Sequence, residues 1–327
     1  MKIRNYVKPE SLEEAYALNQ KKSARLIGGM MWLRTGRETI ATAVDLSGLG
    51  LGEIVETKEE FRIGAMVTLR QLELHQGLAD YTQGAMREAL RSIVGVQFRN
   101  LATVGGSIWG RFGFSDVLTL FLALDTRVHL YKAGELPLDV FAKSGKDNDI
   151  LTELVIKKRP QRTAYRAFRN TKTDFPVLTC AVSLPAGMPD ASGKQTGWLE
   201  ESGAASEEKP FFAGTVVVGA RPGRAMSLAI PEKYGELLRG SVSSPKGAAE
   251  KGAADRRNTA VAGGFGVSAD QAAAEIAEIA GDLGEQFPVG SNLRAGAEYR
   301  RHLAQVLIGR CLEQLCLEGE KGAVCRN

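Results

Sequence analysis

Two glycine pairs in this chain stand where a backbone can cradle an anion. The first lies in Leu26-Ile27-Gly28-Gly29-Met30-Met31-Trp32-Leu33, where a short apolar strand meets two glycines and then a helix start. The second is Ala102-Thr103-Val104-Gly105-Gly106-Ser107, followed by Ser115 and Asp116. Glycine has no Cβ, so a ligand can approach the main chain closely, and open N–H groups at a helix start suit a pyrophosphate. The hydroxyls of Thr103 and Ser107 can join those donors on phosphate oxygens. Asp116 can accept from a ribose, position the loop, or simply cap the helix that follows. A glycine pair after a strand is more often a plain turn, so these residues taken alone point only to a phosphate-bearing ligand between two loops.

Other chemistries fail on spacing. Gly105 and Gly110 have the separation of P-loop glycines, but Arg111-Phe112 stands where Lys and Ser or Thr are needed. Gly48-Leu49-Gly50 has Glu53 at the third glycine of a dinucleotide fingerprint, and Gly263-Gly264-Phe265-Gly266 reads as a flexible turn. A serine nucleophile elbow and a metalloprotease helix are missing. His75, His129 and His302 are scattered singly, and Cys180, Cys311, Cys316 and Cys325 fit neither a cluster-binding run nor a disulfide framework. No catalytic acid, base, nucleophile or metal site is nominated.

The 42 basic residues are interleaved with 38 acidic ones at a net charge of +4, which describes a solvated surface rather than a nucleic-acid groove. No stretch is apolar for the roughly 20 residues a bilayer requires, and the N-terminus lacks a signal-peptide core. The expectation is a cytoplasmic protein with neither nucleic acid nor membrane as a partner.

The elements that must position the two loops are legible in outline. Ser11-Leu12-Glu13-Glu14 is a capping box that starts a helix; residues 24–27 and 42–46 read as buried strands; residues 53–56 and 61–65 form a hairpin. Thr68-Leu69-Arg70-Gln71 is a second capping box, and Met86, Leu90, Ile93 and Val94 share helical spacing. A long loop is expected through Gln97-Phe98-Arg99-Asn100 to Gly105-Gly106. Beyond it Asp116 caps a helix over residues 117–124, and strands near residues 128–130 and 136–138 turn at Ala133-Gly134. From about residue 160 the pattern becomes strands at 164–168, 176–184 and 211–219, then helices at 269–280 and 295–317. Residues 185–209 and 241–258 are polar and small, suiting a long hairpin connection and an insertion.

Around these loops the sequence resembles the FAD-binding subunits and domains of the molybdenum hydroxylase family, including xanthine dehydrogenase and carbon monoxide dehydrogenase. The resemblance runs through residues 6–17, the first glycine loop, Ala43-Val44-Asp45-Leu46, Arg62-Ile63-Gly64-Ala65 and Val67-Thr68-Leu69. It continues through Phe98-Arg99-Asn100-Leu101-Ala102-Thr103-Val104-Gly105-Gly106, Ser115-Asp116, Leu122-Ala123-Leu124-Asp125 and Ala297-Glu298-Tyr299-Arg300-Arg301; R-N-x-A-T-V-G-G is its most specific piece.

The resemblance implies an α+β fold. A PCMH-type bipartite FAD-binding domain over 1–160, with subdomains at about 1–55 and 56–160, precedes a smaller α+β C-terminal domain over 161–327. It places Ile27, Gly28, Gly29, Met30, Met31, Trp32, Leu33, Ala102, Thr103, Gly105, Gly106, Ser107, Ser115, Asp116, Ile150 and Leu151 at the cofactor. A molybdopterin-binding large subunit and a 2Fe-2S iron–sulfur small subunit would be the partners in a heterotrimer. FAD would pass electrons to NAD or another acceptor.

Met30, Met31 and Trp32 stand where the family's first loop is similar to Thr, Asp and Leu. Because backbone N–H groups carry most of the grip on a pyrophosphate, binding is expected to survive. Phe112 and Phe114 either pack on the flavin or fill core. A self-contained PCMH-fold flavin oxidase and a flavin-free scaffold are the alternative readings.

Overall fold

A computed structural model describes residues 1–186, 212–235, 238 and 269–317. The expected connection at 185–209 (apart from residues 185 and 186), the insertion at 241–258, Gly263-Gly264-Phe265-Gly266 and Cys325 lie outside these residues. The fold mixes helix and sheet in three sheets that follow one another along the chain.

The first sheet is parallel, in the order β1 (Lys2–Val7), β3 (Thr39–Asp45), β2 (Ala24–Ile27), with α1 (Leu12–Asn19) between the first two strands in sequence. Ser11 Oγ accepts from the Glu14 N–H at 3.1 Å, as a capping residue should. The Glu14 carboxylate, however, takes the N–H of Glu10 at 2.9 Å, one residue earlier than a capping box requires. One face of the sheet buries Ala15, Ala24, Val44 and Leu46 together with Ile150, which arrives from much later in the chain.

The second sheet is antiparallel in the order β4 (Ile54–Glu56), β5 (Glu60–Gly64), β8 (Leu151–Lys157), β6 (Thr126–Leu130), β7 (Gly134–Pro137). Helices α2 (Leu69–Leu74), α3 (Gln76–Tyr81), α4 (Ala85–Arg91), α5 (Val96–Arg99), α6 (Val104–Trp109), α7 (Asp116–Ala123) and α8 (Leu138–Lys143) accompany it. Thr68 forms the expected capping box with Gln71.

Three expectations are corrected in this region. The supposed long loop through residues 97–106 contains α5 and α6, so Gly105 and Gly106 belong to the first turn of a helix. Ile93 and Val94 lie beyond α4, and Val94 takes φ +49°, which redirects the chain into α5. The cap of α7 is Ser115, whose hydroxyl accepts from the Leu118 N–H at 3.1 Å; Asp116 is the first helical residue.

A third, antiparallel sheet runs β12 (Met226–Pro231), β11 (Phe212–Gly219), β10 (Pro176–Pro185), β9 (Gln161–Arg169), and β12 has no counterpart among the strands read from sequence. On one face Cys180, Val182 and Leu184 pack with α9 (Ala269–Glu285) and α10 (Ala297–Cys316). On the other, Ala181, Tyr165 and Val217 join the core of the second sheet and α7. Alternate residues of β10 thus serve two cores, which is why this strand is a nearly unbroken apolar run.

Candidate cofactor site

The glycines of the first loop bring the two loops together. A Cβ on Gly29 would lie 1.6 Å from the carbonyl oxygen of Leu101, and one on Gly28 would lie 2.9 Å from Oγ1 of Thr103. Gly105 in turn sits where a Cβ would meet the Ala65 carbonyl at 2.6 Å. The missing side chains therefore permit backbone-to-backbone packing, a use that spacing alone does not separate from approach by a ligand.

At the start of α6 the donors are already engaged. The N–H groups of Val104 and Gly105 reach the carbonyls of Val67 and Ala65 at 2.8 and 2.9 Å, and the Gly106 N–H reaches Thr103 Oγ1 at 3.2 Å. The Ser107 hydroxyl donates to the Thr103 carbonyl at 3.0 Å. Of the donors expected at a phosphate here, the helix start and the Ser107 hydroxyl are thus engaged within the protein, α6 being docked onto the end of β5, and the Thr103 hydroxyl proton is what stays available.

Open donors lie in the first loop instead. Among the described residues, the N–H groups of Gly29, Met30, Met31, Trp32 and Leu33 meet no protein acceptor. Met30 adopts φ +54°, whereas Trp32 is right-handed at φ −90° and ψ −41°. Met30 thus turns the chain in the left-handed region, and a run of unpaired N–H groups on a turn of this kind can form a nest for an anion. The Met30 and Met31 side chains anchor the nest. Met31 is buried in the main core, and Met30 packs with Leu33 against Ile27, Ile40 and Ala43.

The loops enclose a cavity of about 610 Å³. Ile27, Gly28, Gly29, Met30, Met31, Trp32, Leu33, Ala102, Thr103, Gly105, Gly106, Ser107, Ser115, Asp116 and Leu151 all stand on its wall. Ile150 does not; it is fully buried beneath the first sheet. Asp116 is 5% exposed, and its Oδ1 accepts from both the Tyr165 hydroxyl and the Arg169 guanidinium. Burial pushes its carboxyl above the usual aspartate value against the pull of Arg169, and burial together with Asp116 raises Tyr165 well above an ordinary tyrosine.

Residues 1–158 match the model of the FAD binding domain in molybdopterin dehydrogenase. This part of the chain belongs to that family. Its cofactor is FAD. The chain is 28% identical over 190 residues to the uncharacterized protein YgfM of Escherichia coli (strain K12), covering 56% of this chain and 70% of that protein. In fold it is similar to quinoline 2-oxidoreductase from Pseudomonas putida 86, at TM-score 0.70 and 17% identity over 96% of this chain and 97% of that one. It is likewise similar to carbon monoxide dehydrogenase from Hydrogenophaga pseudoflava, at TM-score 0.67 and 19% identity over 97% and 98%.

The cavity beside this FAD-binding domain is completed from outside residues 1–158. Arg169, Thr173, Asp174, Phe175 and Pro176, at the turn from β9 to β10, close part of its wall. Arg169 donates to the Asp174 carbonyl at 2.6 Å, and Asp174 pairs with Arg294 at 3.2 Å. Arg300, fully buried, holds the segment before α10 through Gly290, Asn292 and Ala295. Sequence reading missed Arg169 and residues 173–176 because nothing local marks a turn as facing a cavity built by earlier parts of the chain; only the pairing of β9 with β10 and of Asp116 with Arg169 brings it there. Phe112 and Phe114 stack on one another at 5.2 Å and both touch Trp32, so they line the cavity as part of an aromatic group.

Among the described residues, no helix is long and apolar enough to cross a membrane, and no group of His, Cys, Asp and Glu is arranged to hold a metal ion.

Proposed function

We propose that this chain is the FAD-carrying electron-transfer subunit of a molybdenum hydroxylase of the xanthine dehydrogenase type, working in the cytoplasm in a heterotrimer. A molybdopterin-binding large subunit would act on the substrate, a 2Fe-2S small subunit would deliver electrons, and NAD or another acceptor would remove them. FAD, when bound, supplies the redox chemistry.

The observation that carries this reading is the open backbone nest from Gly29 to Leu33 on the wall of a cavity that also holds an aromatic group. Gly29, Met30, Met31, Trp32 and Leu33 would hold the diphosphate by N–H donation, with the Thr103 hydroxyl beside them. Gly28 and Gly105 set the spacing of the loops, and Ala102, Gly106, Ser107 and Leu151 form the wall. Ser115 and Asp116 orient α7 and Arg169 rather than reacting with anything. Because both methionine side chains are turned into apolar cores, their replacement of polar residues leaves the donors open, which speaks against a flavin-free scaffold.

Reconstitution of the purified chain with FAD tests the proposal. Bound flavin should raise the melting temperature, with about 2.7 kcal/mol of stabilisation at a ligand concentration 100 times Kd. Copurification should recover subunits carrying molybdopterin and iron–sulfur clusters, and the flavin should be reduced by substrate only when they are present. Reduction by substrate in the isolated chain would instead establish a self-contained oxidase, and absence of flavin binding would refute both.

A further inference from the structure

Trp32 is 40% exposed, yet four phenylalanine rings surround it. Phe175 lies nearly parallel to it at 5.5 Å and 27°, Phe114 and Phe112 are tilted at 5.7 and 5.8 Å, and Phe98 meets it edge-on at 6.3 Å. The five rings come from four separate stretches of chain, and all lie on the cavity wall. Two cations flank them: the Arg294 guanidinium is 5.0 Å from the Phe175 ring, and the Lys146 ammonium is 5.7 Å from that of Phe112. A tryptophan that only filled core would be buried, and one that only covered surface would not be braced from several sides.

We infer that Trp32 is the stacking platform for the isoalloxazine ring and therefore fixes which end of FAD faces outward. This rests on the FAD-carrying role proposed above. Trp32 also belongs to the nest of open N–H groups, so its ring begins within a few bonds of where the diphosphate would lie. From that point the two ring systems of FAD must run apart. The wall supplied by α1 and β2 offers Asn19 and Arg25 and no aromatic ring, suiting a smaller ring with hydrogen-bonding edges. The larger, more apolar three-ring system suits the aromatic side. Partial exposure there also matters, because a flavin that trades electrons with another protein must sit near an opening.

The experiment compares wild type, Trp32→Ala and Trp32→Phe for FAD affinity, for competition by ADP, and for the fluorescence of bound flavin. Removing a stacking partner should weaken FAD on the order of tenfold or more. ADP, which has no isoalloxazine, should compete as well as against wild type, and the flavin emission quenched in wild type should partly return. Trp32→Phe keeps a ring and should recover most of the affinity, which separates lost stacking from a damaged fold. Because Trp109 also lines the cavity, the protein emission quenched on adding FAD should be assigned to Trp32 by its loss in Trp32→Phe. Equal loss of FAD and ADP affinity would place adenine on Trp32 and overturn the inference while leaving the FAD-carrying role intact, as would unchanged affinity in both variants. Failure of wild type to bind FAD would overturn both.

Discussion

Replacing Gly29 with alanine should damage both the fold and the cofactor site, by an amount the geometry sets. The new Cβ would stand 1.6 Å from the Leu101 carbonyl oxygen and 2.4 Å from its carbon, both backbone atoms that no rotamer change can move. Restoring an ordinary contact of 3.4 Å requires the first loop and the Leu101 backbone to part by about 1.8 Å. Overpacking of this kind costs about 1–3 kcal/mol. The larger effect falls on binding, because the displaced segment is the one that carries the open N–H groups. A hydrogen bond to a charged group contributes about 1.5–3 kcal/mol, so misplacing two of them should weaken FAD on the order of 100-fold or more. Thermal melts with and without FAD, together with a flavin fluorescence titration, read both quantities. If Gly29→Ala melts with wild type and binds FAD equally well, the close packing of the loops is not what shapes the site.

Gly106 makes the matching contrast: a Cβ there meets only Thr103 Oγ1, at 3.1 Å, and the position faces the cavity. Gly106→Val should therefore melt within about 3 °C of wild type while losing FAD affinity roughly tenfold or more, and unchanged affinity would show that FAD lies elsewhere. Asp116→Ala leaves Arg169 buried without its carboxylate and should cost about 3–5 kcal/mol in chemical denaturation. Asp116→Asn, measured where it remains folded, should keep FAD affinity within about threefold; a much larger loss with stability intact would return Asp116 to direct cofactor contact. Glu73 is buried against Arg99 at 2.8 Å and also receives Arg70 at 2.9 Å. Burial acts to raise its carboxyl, but the two arginines outweigh it and hold the group below the usual glutamate value of 4.5. Its contribution is complete above that value and is lost as the pH falls through the lower folded value, so Glu73→Ala should flatten this part of the acid-denaturation profile, besides a loss of about 3–5 kcal/mol at neutral pH.

Much of the secondary structure was open to a reader of the sequence, because local rules decide it. Apolar runs bounded by turn residues mark β2, β10 and β11, and Thr68 three places before Gln71 closes a capping box that needs no distant partner. The first glycine loop was also visible, since a paired glycine after a strand changes backbone freedom wherever it occurs. What those glycines are for was not visible. Gly29 and Gly105 face carbonyls of Leu101 and Ala65, and no spacing rule distinguishes a neighbour's backbone from a ligand. Gly105-Gly106 looked like loop because glycine is a poor helix former, yet the Thr103 cap and docking onto β5 outweigh that preference.

By itself, then, the sequence determined two glycine pairs, many of the elements around them and a resemblance that named FAD. Tertiary structure alone decided which backbone segment keeps open donors, that Asp116 is engaged by Tyr165 and Arg169, and that Phe175, with Arg294 over its ring, meets Trp32 at the cavity. The physical reason is range. Capping and turn formation act over a few residues and leave a local signature, whereas hydrogen-bond satisfaction and ring packing depend on partners that only the folded chain brings within reach.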